Sequence, residues 1–296
     1  MSATAPAATA DAFAHCAEVV RANARNFYYA FIFAPKARRR ALYALYAFCR
    51  VADDIVDEPG DPADKAARLE GLRAGLDLAL AGRAEGPVLA AVADVVRRHG
   101  LAARHLHAIV DGCAMDLRGA RYETFADLEG YLDRVSSAVG RLVLQLHGVD
   151  PEARVDYARA GGQAVQLTNI IRDIREDRGL GRVYLPQEDL RRFGVREEDL
   201  DADRPGERVR DLVRFEVERA RALYAEARSD RALPADERRR IYPLESIVRI
   251  YSRLLDRIEA RGHDVFSERV RLPGWRKGLL GLGTLLRAKL GLPAGR

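Results

Sequence analysis

The chain is poor in cysteine, lysine, methionine and tryptophan, and it has no long apolar run. Its three cysteines (Cys16, Cys49, Cys113) stand far apart, with no CxxC pair. That excludes a disulfide framework and a cysteine zinc cage, and leaves reduced thiols in a cytoplasmic protein as the expectation. No stretch approaches the roughly 20 apolar residues that span a bilayer. The opening MSATAPAATA has neither a basic n-region nor an apolar h-region, so it reads as a frayed terminus and not as a signal peptide. There is no β-rich block, internal repeat or Ser/Gly linker, and no GxGxxG fingerprint or P-loop. With 48% hydrophobic and 31% charged residues, the chain is neither disordered nor low in complexity.

Only four of the 49 basic residues are lysine. No nucleic-acid motif accompanies the arginines, so a nucleic-acid partner is not expected. The 44 acidic residues bring the formal charge to +5, but the distribution is uneven. From 261 to 296 eight basic and two acidic residues give +6, leaving −1 for the rest. Within this tail Leu279, Leu282, Leu286 and Leu290 form a stripe at helical spacing, with Trp275, Lys277, Arg287 and Lys289 placed for a headgroup layer. The pattern predicts peripheral contact with an anionic membrane, on the inner face of the plasma membrane. A helix packed back on the core competes with it. Gly278, Gly281 and Gly283 each weaken a helix by about 1 kcal/mol, which favours ordering only on lipid.

Apolar periodicity is helical almost throughout. It predicts helices over 13–33, 36–57, 63–82, 87–98, 101–118, 124–147, 151–177, 206–229 and 236–261, with a short one near 187–200 and the amphipathic 275–290. Pro243 is expected to break or kink the 236–261 helix. The reading is a single all-α domain over 11–272 followed by a basic tail, 273–296.

Two acidic clusters interrupt these apolar helices. Asp53 and Asp57 share a face at i, i+4, with Asp54 turned about 100° away. Like charges at this spacing weaken a helix by about 0.2–0.5 kcal/mol unless a cation lies between them. Asn169, Asp173 and Asp177 repeat at i, i+4, i+8 near a helix C-terminus, where the helix dipole disfavours acids. Hard oxygen donors without His or Cys suit Mg²⁺, which takes few carboxylates and completes its shell with phosphate oxygens. A solvated acidic face is the competing reading. Arg50 and Arg172 beside the acids suit a polyanionic ligand, or else simple intrahelical pairing. Aromatics at 27–31 and at Tyr43, Tyr46 and Phe48 read as core, or as faces for a carbocation beside a diphosphate. Ser136, Ser137, Ala138 and Gly140 allow either an apolar ligand or close helix packing.

The segments Asn26-Phe-Tyr-Tyr-Ala-Phe, Tyr43-Ala-Leu-Tyr-Ala-Phe-Cys-Arg-Val-Ala-Asp-Asp-Ile-Val-Asp57, Gln166-Leu-Thr-Asn-Ile-Ile-Arg-Asp-Ile-Arg-Glu-Asp177 and Gly181-Arg-Val-Tyr-Leu-Pro186 resemble the paired signatures of squalene/phytoene synthases. The resemblance spans about 23–271. It implies an all-α isoprenoid (terpenoid) synthase bundle with a central cavity, and head-to-head joining of two prenyl diphosphates with Mg²⁺. Phe27-Tyr-Tyr-Ala-Phe-Ile-Phe33, Met115-Asp-Leu, Arg121-Tyr-Glu-Thr-Phe125 and the run from Arg257 to Leu272 are most similar to the branch that makes presqualene diphosphate in bacterial hopanoid biosynthesis. Phytoene synthases, which condense two geranylgeranyl diphosphates, share both acidic motifs and are the alternative. A catalytically inactive, membrane-associated scaffold is the reading outside enzymes.

Carried over by position, the resemblance implies that Asp53, Asp57, Asn169, Asp173 and Asp177 bind Mg²⁺. Asn26, Arg50, Arg172, Tyr251 and Arg269 would contact diphosphate, Asn26 standing where the family often has Ser. Tyr46, Tyr131 and Gln166 would line the reaction centre. Two farnesyl diphosphates would give presqualene diphosphate without a nicotinamide cofactor. A downstream squalene-forming enzyme would then be the pathway partner.

Overall fold

Helices make up all the regular structure among residues 5–119, 121–229 and 233–292, which the computed structural model describes. They are α1 (Ala5–Asn23), α2 (Arg25–Phe31), α3 (Lys36–Asp57), α4 (Pro62–Leu80), α5 (Pro87–His99), α6 (Ala103–Asp116) and α7 (Phe125–Leu132). A π-helical segment (Asp133–Ser137) leads into α8 (Ala138–Leu146), then come α9 (Val155–Gly179) and α10 (Gln187–Phe193). A 3₁₀ turn (Glu197–Asp201) precedes α11 (Glu207–Arg228), α12 (Ala235–Arg240), α13 (Tyr242–Ala260) and α14 (Gly274–Lys289). The all-α expectation holds.

Local chemistry sets many of the ends. The Asp61 carboxylate accepts from the backbone N–H of Ala63 at 2.7 Å, and Pro62 occupies the first position of α4. Thr124 and Asp127 form a reciprocal capping box at the start of α7. Gly100 closes α5 in the left-handed conformation, at φ 63°.

Several boundaries differ from the sequence-based expectation. The first helix starts at Ala5, eight residues before Phe13, so of the opening segment only residues 1–4 lie outside the described residues. The predicted 13–33 helix is broken at Ala24, which leaves helical geometry at φ −96°, ψ 56° without a Gly or Pro to announce it. The 236–261 helix breaks at Ile241, two residues before the proline. Pro243 sits in the first turn of α13, where no intrahelical donor is needed, and its ring excludes a continuous helix from upstream. The 187–200 helix ends at Phe193 because Gly194 turns left-handed, at φ 61°. The 124–147 helix carries the π-helical segment in its middle.

That segment lies between two glycines on neighbouring helices. A Cβ at Gly112 of α6 would stand 2.4 Å from the Val135 side chain, and one at Gly162 of α9 only 2.7 Å from the Ser137 backbone. The chain thus approaches α6 and α9 more closely than any side chain permits. α9 is the central helix, packed by α11, α13, α8 and the π-helical segment, while α3 packs on α1, α5 and α6. Phe48 on α3 is fully buried, a position worth about 1.5–3 kcal/mol. α14 lies against α2 and α13. None of the described helices is long and apolar enough to cross a membrane.

Candidate active site

α3 and α9, with α2, α6, α8 and α13, enclose a cavity of about 620 Å³. Its lining changes along its length. At the solvent end stand Asp57 and Arg269, both exposed. The remainder is walled by apolar groups such as Phe31, Leu45, Val143, Leu244 and Val248. One end therefore suits a charged headgroup and the other an apolar chain.

All thirteen residues singled out from the sequence line this cavity: Asn26, Tyr46, Arg50, Asp53, Asp57, Tyr131, Gln166, Asn169, Arg172, Asp173, Asp177, Tyr251 and Arg269. The ambiguous groups divide. Phe27, Phe31, Ser136 and Gly140 reach the cavity, whereas Tyr43, Phe48, Ser137 and Ala138 are buried in helix packing. The rings of Phe27 and Tyr46 sit 5.4 Å apart, and Phe27 and Tyr251 6.1 Å apart.

The acids fall into two kinds. Asp57 accepts from Arg182 Nη1 at 2.7 Å. Asp173 accepts from Arg172 Nε at 2.8 Å and pairs with Arg269 at 3.0 Å. Arg50 pairs with Asp54, the acid turned away from the Asp53–Asp57 face. Asp53 and Asp177 have no guanidinium bonded to them. Asp53 stands exposed in the wall of the enclosing cavity. That enclosure, with Asp57 and Asp116 nearby, pushes its carboxyl up to about 7. Burial and the neighbouring Asp173 push Asp177 up to about 8.

Three further cavity residues had no sequence-based role. Asp116 at the end of α6 accepts from the Tyr184 hydroxyl at 2.7 Å and from the Tyr131 hydroxyl at 3.3 Å. Burial raises its carboxyl to about 6, with Arg182 and the two hydroxyls holding it lower. The rings of Tyr131 and Tyr184 stack at 5.2 Å. Arg182 also donates to the Val56 carbonyl at 2.9 Å, which ties the loop after α9 to the end of α3. The Met115-Asp-Leu and Gly181–Pro186 segments carried this information only as parts of a resemblance. Helical spacing gives no sign of a contact across 125 residues.

The donor chemistry fits a hard divalent cation. The Oδ1 of Asn169 is buried without a hydrogen-bond partner, one turn before Asp173 and two before Asp177 on the same helix face. No cation compensates Asp53 and Asp177 directly, and His and Cys ligands are not needed. Among the described residues no three His, Cys, Asp or Glu side chains already form a metal-holding cluster. Sites of one or two carboxylates completed by phosphate oxygens agree with that spacing.

Known proteins place this geometry. The chain is 34% identical over 284 residues to a 15-cis-phytoene synthase of Synechococcus elongatus, covering 92% of this chain and 91% of that one. It is 35% identical over 286 residues to a phytoene synthase of Arthrospira platensis, covering 92% of each. A crystal structure of a dehydrosqualene synthase superposes with a TM-score of 0.84 at 30% identity, covering 95% of this chain and 98% of that one. Squalene synthase HpnC from Alicyclobacillus acidocaldarius gives 0.75 at 30% identity, covering 87% and 97%. The fold is that of the all-α isoprenoid synthases. The squalene/phytoene synthase family model matches residues 20–276, and the chain belongs to that family.

Proposed function

We propose that this chain joins two allylic prenyl diphosphates head to head, with loss of diphosphate. The observation that carries the reading is a single cavity with opposed acidic helices at one end and an apolar remainder. Asp53, Asp57, Asn169, Asp173 and Asp177 hold Mg²⁺, which when bound supplies Lewis-acid stabilisation of the leaving diphosphate. Arg50, Arg172, Arg269 and Tyr251 orient the diphosphates, with Asn26 donating at the same end. As the C1–O bond of one substrate breaks, the C2–C3 double bond of the second attacks the allylic cation, and loss of a proton closes a cyclopropane. Phe27 and Tyr46 present aromatic faces to that cation. Tyr131, held by Asp116 beside Tyr184, and Gln166 place polar atoms at the reaction centre. The apolar wall excludes water that would otherwise capture the cation.

Two chain lengths have specific support. The names of the curated relatives favour two geranylgeranyl diphosphates and phytoene as the product. The dehydrosqualene and squalene synthases among the solved structures favour two farnesyl diphosphates, as do the segments Phe27–Phe33 and Arg257–Leu272. That second reading ends at presqualene diphosphate, which a downstream squalene-forming enzyme consumes without a nicotinamide cofactor on this chain. Incubating the purified protein and Mg²⁺ with each diphosphate, with and without NADPH, followed by product mass spectrometry, separates them. Phytoene supports the first and presqualene diphosphate the second. Squalene formed only with NADPH contradicts both branches, and no condensation product from either substrate overturns the proposal.

A further inference from the structure

The surface of α14 is divided in a way that core packing does not explain. Its inner face carries Gly274 and Gly281, where glycine is required, with Thr284 and Lys277; Lys277 is buried against Tyr29 and does not reach the headgroup layer expected of it. A Cβ at Gly274 would stand 2.6 Å from the Tyr29 hydroxyl, and one at Gly281 2.6 Å from the Tyr29 carbonyl. Thr284, also on this face, accepts from Arg249 at 3.1 Å. The helix is therefore docked on α2 and α13 through its smallest residues. Apart from Leu280, which packs against the core, and the half-buried Leu285, its large apolar side chains point the other way. Trp275, Leu279, Leu282, Leu286 and Leu290 are 63, 60, 39, 49 and 71% exposed. They form one stripe at i, i+4, i+7, i+11 and i+15. Of the nine large apolar side chains exposed among the described residues, these five and Leu292 make six. The other three are scattered singly, as is ordinary on a soluble surface, whereas a contiguous apolar patch marks a contact.

Charge identifies the partner. Between Arg269 and Leu292 there are six basic residues and no acidic one. Arg271, Arg276 and Lys289 are exposed around the stripe. A second copy of the chain docked by two-fold symmetry would lay these cations against themselves. An anionic bilayer accepts both the leucines and the cations. A helix of 16 residues cannot span, so it lies in the plane of the interface.

We infer that α14 is an interfacial docking helix whose Trp275–Leu290 stripe enters the surface of an anionic lipid bilayer while its glycine face stays on Tyr29. The site lies close behind it. Arg269, Arg271 and Leu272, in the segment leading into α14, and Lys277 within it, all line the cavity. Docking thus holds the cavity beside the lipid, where chains as apolar as its walls reside.

Trp275 is the only tryptophan in the chain, so its fluorescence reports this contact alone. The full-length protein is titrated with phosphatidylcholine vesicles with and without phosphatidylglycerol, at low and high salt. The expected result is a blue shift and co-sedimentation with the phosphatidylglycerol vesicles, weakened by salt. L279S/L286S should lower the partition coefficient by about a hundredfold, at about tenfold for each leucine side chain kept from lipid. Its unfolding midpoint and its product formation should stay unchanged. An unshifted emission of the native chain with phosphatidylglycerol vesicles overturns the inference. So does equal binding by the variant, or a dimer in light scattering that L279S/L286S dissolves. Vesicle binding is read without turnover, so failure of the proposed reaction leaves this test intact.

Discussion

Replacing Gly162 by alanine probes the close backbone approach of the π-helical segment to α9. The new Cβ would stand 2.7 Å from both the Cα and the N of Ser137, where ordinary contact begins at 3.4 Å. The opposing atoms are backbone, so no side-chain rotation relieves the overlap. The π-helical segment must move by about 0.7 Å, and overpacking of this kind costs about 1–3 kcal/mol. Since main chain must yield, the upper figure applies. Against it, alanine stabilises a helix interior by about 1 kcal/mol relative to glycine. The net loss is about 2 kcal/mol. Gly71, in the middle of α4, has nothing within 4 Å of its would-be Cβ, so Gly71→Ala keeps only the favourable term, about 0.5–1 kcal/mol. At about 2–4 °C per kcal/mol, the midpoint of thermal unfolding followed by circular dichroism should fall by about 4–8 °C for Gly162→Ala and rise by about 1–4 °C for Gly71→Ala. Gly162 and Ser136 both line the cavity, so the first variant should also raise KM for the prenyl diphosphate, while the second leaves it unchanged. Equal stabilisation by both substitutions would show that the π-helical segment yields freely and that the glycine is not a packing requirement.

Excess EDTA should abolish condensation and added Mg²⁺ should restore it; full activity under chelation would remove the metal assignment. Asp53→Asn should lower turnover on the order of a thousandfold while leaving the unfolding midpoint equal or higher, because folding opposes the charge of this carboxyl. Asp57→Asn should also lose turnover but unfold earlier, by on the order of 1 kcal/mol, because it removes the half-exposed, solvent-screened carboxylate from the buried Arg182 guanidinium; matching stabilities of the two variants would contradict the distinction. Away from the cavity, burial pushes the Glu216 carboxyl from its ordinary 4.5 up to about 8, with Arg219 opposing and Asp189 adding to the rise. The folded chain then holds an extra proton between those values, so stability is fully present below pH 4.5 and declines toward pH 8 by on the order of a few kcal/mol. Urea unfolding of Glu216→Gln should show that slope flattened, and an unchanged slope would assign it elsewhere.

Much of the site was legible because its signals are local. Oxygen-bearing side chains at i, i+4, i+8 share a helix face whatever the surrounding fold, and acids at a helix C-terminus oppose the dipole unless something else requires them. Proline and glycine announced most helix ends for similarly local reasons. What escaped was tertiary. Nothing near Arg182 signals a carboxylate 125 residues earlier, and nothing near Asp116 signals hydroxyls from Tyr131 and Tyr184. The break at Ala24 falls on a residue that favours helix. The π-helical segment reflects Gly112 and Gly162 on two other helices. Ser136 and Ser137 are neighbours of the same type, yet one lines the cavity and the other packs on α9, a choice made by local winding and invisible to composition.

The arginines explain how a chain tolerates so many acids around one cavity. Arg182 holds Asp57, and Arg172 with Arg269 holds Asp173, so one acid of each helix is compensated from within the protein. Asp53 and Asp177, the other acid of each helix, lack such a partner, and they are the pair whose carboxyls are pushed up to about 7 and about 8. A fold selected for stability alone would pair or discard them, since neighbouring carboxylates with no cation bonded to them repel one another. Their retention on two helices of the cavity wall, with the unpartnered Asn169 oxygen one turn before Asp173 on one of them, places the electrostatic deficit at the headgroup end of the cavity. In the proposed function this deficit is what divalent cations would offset, and without them it opposes folding. Catalytic capacity and marginal stability are therefore two readings of one charge distribution.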